Sequence, residues 1–119
     1  VYVDHFGENT VAGTTSMTAA LQAAIAYTPA DMIRLRGVDY AFDQRLTITR
    51  TMRIIGDGMR IGASRLICTG SSAATVETRA THPDDGTDAP VTVAILVDAA
   101  NVTFEHFIVQ NKFSIGDAY

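Results

Sequence analysis

Three apolar triplets near the carboxyl-terminal end constrain most tightly what this chain can fold into. Ile95–Val97, Val102–Phe104 and Phe107–Val109 are separated by only four and two residues, a spacing too tight for ordinary antiparallel strands. Earlier runs have the same character: Ile33-Arg34-Leu35, Leu46-Thr47-Ile48, Met52–Ile55, Leu66–Cys68 and Thr92–Val97. Alternation of this kind marks strands that bury one face. The helical crossovers of an open parallel sheet are missing between them. Hairpin chemistry is sparse too, because Asp57-Gly58 and Asp85-Gly86 are not flanked by two matched strands. The pattern therefore predicts a mainly β solenoid, with three-residue strands joined by tight corners and successive turns stacked ~4.8 Å apart. Asn101 and Asn111 fall at expected corners, where Asn tolerates left-handed backbone.

One segment breaks this pattern. Met17, Leu21 and Ile25 recur every fourth residue with Ala20 and Ala24 on the same face, which predicts a helix over 16–27. Thr15 or Ser16 is the expected amino-terminal cap and Pro29 the terminator. A single narrow apolar stripe suits a helix laid on a larger body as a lid.

Composition excludes several classes. Nearly half the chain, 47%, is apolar and 18% is charged, which excludes intrinsic disorder. At 119 residues the chain has room for one core. Thirteen acidic against nine basic residues leave a net charge of −4, unlike a dedicated nucleic-acid binder. No run is long enough to span a membrane, and no secretion signal precedes the first strand, although the sequence opens on Val1 rather than Met. The single cysteine, Cys68, excludes an internal disulfide and reads as a buried thiol in an apolar run.

Read in order, these segments resemble the amino-terminal part of the pectate-lyase superfamily, the right-handed parallel β-helix shared by pectate lyases and bacteriophage tailspikes. Val3-Asp4-His5-Phe6-Gly7 is similar to the family's opening segment, and Ala20-Leu21-Gln22-Ala23-Ala24-Ile25 to its capping helix. Ile33-Arg34-Leu35, Gly37-Val38-Asp39-Tyr40 and Leu46-Thr47-Ile48 match its first coil. Ile54-Ile55-Gly56-Asp57-Gly58 matches the strand ending in Gly-x-Gly, and Ala100–Phe107 its Asn-Val-Thr-Ile coil. The family's paired Asp before the helix is replaced here by Ala12–Met17, its turn Pro by Arg36, and 70–92 has no counterpart. The resemblance implies one domain over 1–119, made of the cap and first coils of a longer chain. It implies a tailspike-like receptor-binding protein of the virion tail that recognises and degrades host surface polysaccharide. Such proteins are homotrimers that meet other tail proteins, and a trimer would bury outward apolar residues such as Phe42, Phe113 and Tyr119. A secreted bacterial polysaccharide lyase or glycoside hydrolase, and a non-enzymatic β-helical adhesin, are the alternatives.

No catalytic motif of the family carries over onto these residues. Calcium would be expected only of a lyase, and no motif here asks for a cofactor. Asp84-Asp85-Gly86-Thr87-Asp88 lacks the ligand spacing of a calcium loop and reads as a solvated loop, with sugar contact as the functional alternative. Glu105 and His106 are adjacent, so a strand would send them to opposite faces rather than to one substrate. His5, His82 and His106 are too scattered for a metal site. Gly56-Asp57-Gly58 reads as a turn rather than a phosphate loop. Seven arginines between 34 and 65 form a basic middle third; Arg34 and Arg53 alternate with core positions and so point outwards. They form a solvated face or a site for an anionic sugar or an acidic neighbour.

Overall fold

Short alternating runs can bury only one face, and the chain turns each into a strand of three or four residues. The structure, a computed structural model, describes residues 1–58, 63–70, 76–81, 88–92 and 94–111, the segments 76–81 and 88–92 and residue Asn111 by their backbone. A 3-10 turn, Val3–His5, is followed by helix α1, Thr18–Ala26. Then come β1 (Met32–Arg34), β2 (Asp39–Phe42), β3 (Leu46–Ile48), β4 (Arg53–Ile55) and β5 (Arg65–Cys68). The series ends with β6 (Val76–Thr81), β7 (Asp88–Thr92), β8 (Ile95–Val97), β9 (Thr103–Glu105) and β10 (Ile108–Asn111).

Apart from β6 and β7, consecutive strands enter different sheets. One sheet has the order β1-β4-β9, a second β10-β5-β2, and a third pairs β3 with β8, every pairing among them parallel. The register puts apolar residue beside apolar residue: Ile33, Ile54 and Phe104 in the first sheet, Tyr40, Leu66 and Val109 in the second. Leu46 and Ile48 face Ile95 and Val97 in the third. Tyr40, Phe42, Ile33, Leu46, Ile48, Met52 and Leu66 are fully buried, and the helix adds Leu21, Ala24 and Ile25 to the same core.

This arrangement corrects the expected right-handed parallel β-helix. The strands form three small sheets of three, three and two members that do not coil into a solenoid. The third sheet has only two strands because the chain between β5 and β8 departs into β6 and β7, which pair antiparallel with a register shift between Glu77 and Arg79. That segment was expected to be loop. Phe42 is also corrected: the fourth residue of β2 lies in the core at zero exposure rather than on an outer trimer face. Phe113 and Tyr119 lie outside the described residues. Asn101 does take left-handed backbone, with φ 59°; Asn111 instead ends β10 opposite Cys68. Cys68 is a buried free thiol, and burial pushes its pKa up.

The expected helix cap is corrected as well. Met17 holds the cap position without a side-chain bond, and Thr15 Oγ1 accepts from the Val11 amide instead. Ser16 and Thr18 both donate to Asp43 Oδ1, at 3.1 and 2.8 Å. The helix is tied down in its middle by Gln22. Its side-chain amide donates to the Thr47 carbonyl and accepts from the Thr47 amide, at 2.9 and 3.0 Å, as a neighbouring strand would. At its far end the Arg50 guanidinium donates to the carbonyls of Ile25, Tyr27 and Ala30, each at 2.8 Å. Those carbonyls belong to the helix terminus and the turn after it, where intrahelical donors run out.

Arg50→Ala is accordingly expected to fray α1. The loss should be about 2 kcal/mol, because three carbonyls lose a charged donor together. A urea melt read by far-ultraviolet circular dichroism measures it. A loss within experimental error would mean that water replaces the guanidinium without cost.

Candidate functional site

The outward positions of the first two sheets carry the polar groups, since alternation sends every second side chain away from the core. Arg53 in β4 reaches diagonally to Glu105 in β9, with Nε and Nη2 donating to Oε2 at 3.2 and 2.7 Å. In the second sheet Arg65 grips Asp39 with both prongs, Nε to Oδ1 and Nη2 to Oδ2 at 2.7 Å each. Its third nitrogen, Nη1, donates to Gln110 Oε1 at 3.1 Å. Asp39, Arg65 and Gln110 lie on β2, β5 and β10, so they form one ladder across three strands. Arg65 is the first residue of its strand and Glu105 the last of its own. The two ladders therefore flank one corner of the chain, at which 56–58, 63–64 and 106–107 meet.

That corner is tightly built. Ser64 Oγ is buried, accepts from the Asp57 amide at 2.8 Å and donates to the Arg36 carbonyl at 2.6 Å. Gly56 donates its amide to the Glu105 carbonyl and Gly58 donates to that of His106. Gly56-Asp57-Gly58 therefore bends at Asp57 and is tied to the end of β9. His106 takes a left-handed φ of 60° and is exposed, whereas Glu105 pairs with Arg53. The two neighbours do not act on one point.

A third polar group fastens the amino-terminal segment. Asp4 accepts from Arg36 Nη2 and from the Tyr40 hydroxyl, both at 2.6 Å, while that hydroxyl accepts from the Arg36 amide. Burial alone would raise the Asp4 pKa, but the bonds from Arg36 and Tyr40 outweigh it and hold the carboxyl below its ordinary value. Tyr40 is pushed up to about 12, first by burial and then by its bond to Asp4. Asp43 is likewise held below its ordinary value, mainly by Thr18, against a smaller opposing effect of burial. Asp4 and Asp43 are therefore hydrogen-bond acceptors at neutral pH, not proton donors.

The sign of these shifts sets a pH window. The depressed Asp4 pKa stabilises the fold above the ordinary value of 3.8, and the contribution disappears as pH falls through the lower folded value. The raised Tyr40 pKa stabilises it below 10.0, and that contribution is lost as pH rises through about 12. Asp4→Asn should lower the melting temperature at pH 7 and cease to matter in strong acid. An equal deficit of the variant at every pH would refute the ionic account.

Among the described residues, no group of three or more His, Cys, Asp or Glu side chains is placed to hold a metal ion. Asp84, Asp85 and His82 lie outside the described residues, and Asp88 is placed only as the first residue of β7. His5 stands edge-on to the Tyr2 ring, with centroids 6.1 Å apart. The sequence marks Arg53 as an outward member of a basic stretch and Arg65 only as a member of it. Their partners became visible only once the register placed Asp39 beside Arg65 and Glu105 diagonal to Arg53.

The fold and these side chains define a small, mostly β domain carrying ordered arginine–carboxylate ladders on its outer faces. No family model, curated protein or solved structure matches the chain.

Proposed function

We propose that this chain belongs to a phage tailspike-like receptor-binding protein and that its own share of the task is to recognise host surface polysaccharide rather than to cut it. The observation that carries this reading is the pair of ladders, Arg53–Glu105 and Asp39–Arg65–Gln110, on either side of one corner. Guanidinium, carboxylate and carboxamide are planar groups that match pairs of sugar hydroxyls or a uronate carboxylate two bonds at a time. Each arginine has five N–H donors, of which Arg53 and Arg65 leave some facing water. Their internal bonds fix these side chains in advance, which lowers the entropy cost of gripping a flexible glycan. Exposed Arg34 adds a further positive charge on the outer face of the first sheet. The resemblance in sequence of the opening segment, the helix and the Asn-Val-Thr segment to the superfamily's amino-terminal part adds support to the reading.

The test is equilibrium binding to a panel of capsular and pectic polysaccharides, with reducing ends and absorbance of unsaturated uronates followed in parallel. Binding without cleavage is expected. The double variant Arg53→Gln, Arg65→Gln should weaken it at least about tenfold, the equivalent of ~1.4 kcal/mol. Its melting temperature, measured alongside, separates a lost contact from a lost fold. Binding to no panel member, or binding indifferent to both substitutions in a folded variant, would overturn the reading.

A further inference from the structure

We propose that His106 is the residue on which the glycan rests between the two ladders, its imidazole lying against the face of one pyranose ring. This role rests on the sugar reading above and supplies the side chain which that reading leaves unnamed at the centre of the corner.

The corner offers few candidates. Where 56–58, 63–64 and 106–107 meet, Gly56 and Gly58 carry no side chain, while Ala63, Ser64 and Phe107 are buried. Among the described residues there, only Asp57 and His106 turn a side chain to water. Along the chain His106 stands between the ladders. Glu105, which holds Arg53, precedes it, and Ile108, two residues further on, lies opposite Arg65 in the register. A glycan that touches both ladders crosses the stretch of chain that His106 occupies, so His106 and Arg53–Glu105 meet different parts of it. The fold itself makes no use of the imidazole, which has no hydrogen bond, ion pair or ring contact with any described residue.

The backbone at this position is the second observation. Among the described residues, positive φ occurs at Gly13, Gly58, Asn101 and His106. Glycine takes such a φ freely and asparagine readily, whereas the imidazole stands on a Cβ that crowds the backbone there. At φ 60° a glycine would serve the turn at lower cost. Strained residues of this kind persist where their surroundings hold them, and they gather at binding sites. The holding groups are visible: the Gly58 amide donates to the His106 carbonyl at 2.7 Å, and the Gly56 amide to the Glu105 carbonyl at 2.8 Å. The imidazole therefore projects from a fixed base, which lowers the cost of ordering it around a ligand. Its chemistry suits a sugar. The flat ring can lie against the C–H groups on one side of a pyranose, and its two nitrogens can donate to or accept from a hydroxyl. The Asp57 carboxylate offers acceptors alone.

The test uses the same panel of capsular and pectic polysaccharides, with wild type, His106→Gly, His106→Asn and the double arginine variant measured side by side. His106→Gly should raise the dissociation constant of the bound polysaccharide at least about tenfold, without lowering the melting temperature. His106→Asn tolerates the same backbone and keeps a hydrogen-bonding group but loses the ring, so about threefold is expected. In wild type, the His106 ring protons should show nuclear Overhauser contacts to sugar ring protons of oligosaccharides cut from that polysaccharide. Unchanged affinity of a folded His106→Gly, beside a double arginine variant that loses binding, would overturn the role of His106 and leave the sugar reading standing. Wild type that binds no panel member would overturn both. A His106→Gly chain without a cooperative melt would make the imidazole part of the fold, which also overturns the proposal.

Discussion

Replacing Leu21 by Asp is expected to leave no cooperatively folded chain at room temperature. Leu21 sits in the middle of α1 at 4% exposure and belongs to the single core, with Met17, Ala24 and Ile25 beside it. An aspartate there loses the leucine's burial and brings a carboxylate into an apolar setting without a partner. The combined cost is on the order of 5 kcal/mol, against a total stability of about 5–15 kcal/mol for a domain of ordinary size. The measurement is a urea or thermal melt followed by near-ultraviolet circular dichroism. Leu21→Met is the matched control, and should cost less than about 1.5 kcal/mol because it keeps volume and polarity. A cooperative melt close to wild type for the aspartate variant would mean that α1 does not seal the core.

Gly56→Ala should be the most damaging methyl addition in the chain's corner. A Cβ at this position would press on the His106 carbonyl oxygen, and would lie 2.6 Å from Phe107 Cβ and 2.9 Å from Ser64 Cβ. None of these atoms is the free end of a side chain. The backbone of β4 must therefore move away from that of β9 and β10, at a cost of about 3 kcal/mol. Gly58 gives the instructive contrast. A Cβ there meets nothing within 4 Å, but its φ of 125° is one that other residues rarely adopt, so Gly58→Ala pays only for backbone strain, about 1–2 kcal/mol. Equal losses at the two glycines would show that crowding at Gly56 relaxes freely.

How much of this was legible in the sequence depends on range. The helix could be read because Met17, Leu21 and Ile25 advertise its apolar face within a dozen residues. Seven of the eight strands in the three parallel sheets could be located, within a residue or two, from the same kind of local alternation; β2 was missed, because Gly37-Val38-Asp39-Tyr40 reads as a turn and Asp39–Phe42 does not alternate. The β6–β7 pair could not. Asp85-Gly86 lies between them in the sequence and was set aside as a hairpin signal, because Val76–Thr81 and Asp88–Thr92 mix polar and apolar residues too irregularly to read as its matched strands; their antiparallel pairing overturns that reading. That pair is also where the solenoid expectation fails. The helix cap was misread for a related reason: Thr15 and Ser16 have the right chemistry, but Asp43, twenty-seven positions beyond Ser16, claims the Ser16 hydroxyl. The ladders depend on register, which no single strand encodes. Arg65 next to Asp39 is a meaningful pair only after β2 and β5 are known to lie side by side.

Nine residues are too few for a helix to persist in water by itself. Yet α1 is anchored at its start by Asp43, at its centre by Thr47 and at its finish by Arg50, all three supplied by the stretch of chain running from the end of β2 to the start of β4. Partial peeling would have to break one of these anchors while the others still hold. Exchange of the α1 amides should therefore keep pace with that of β4 and β5 in the interior of their sheets, and the helix should come loose only when the whole domain does.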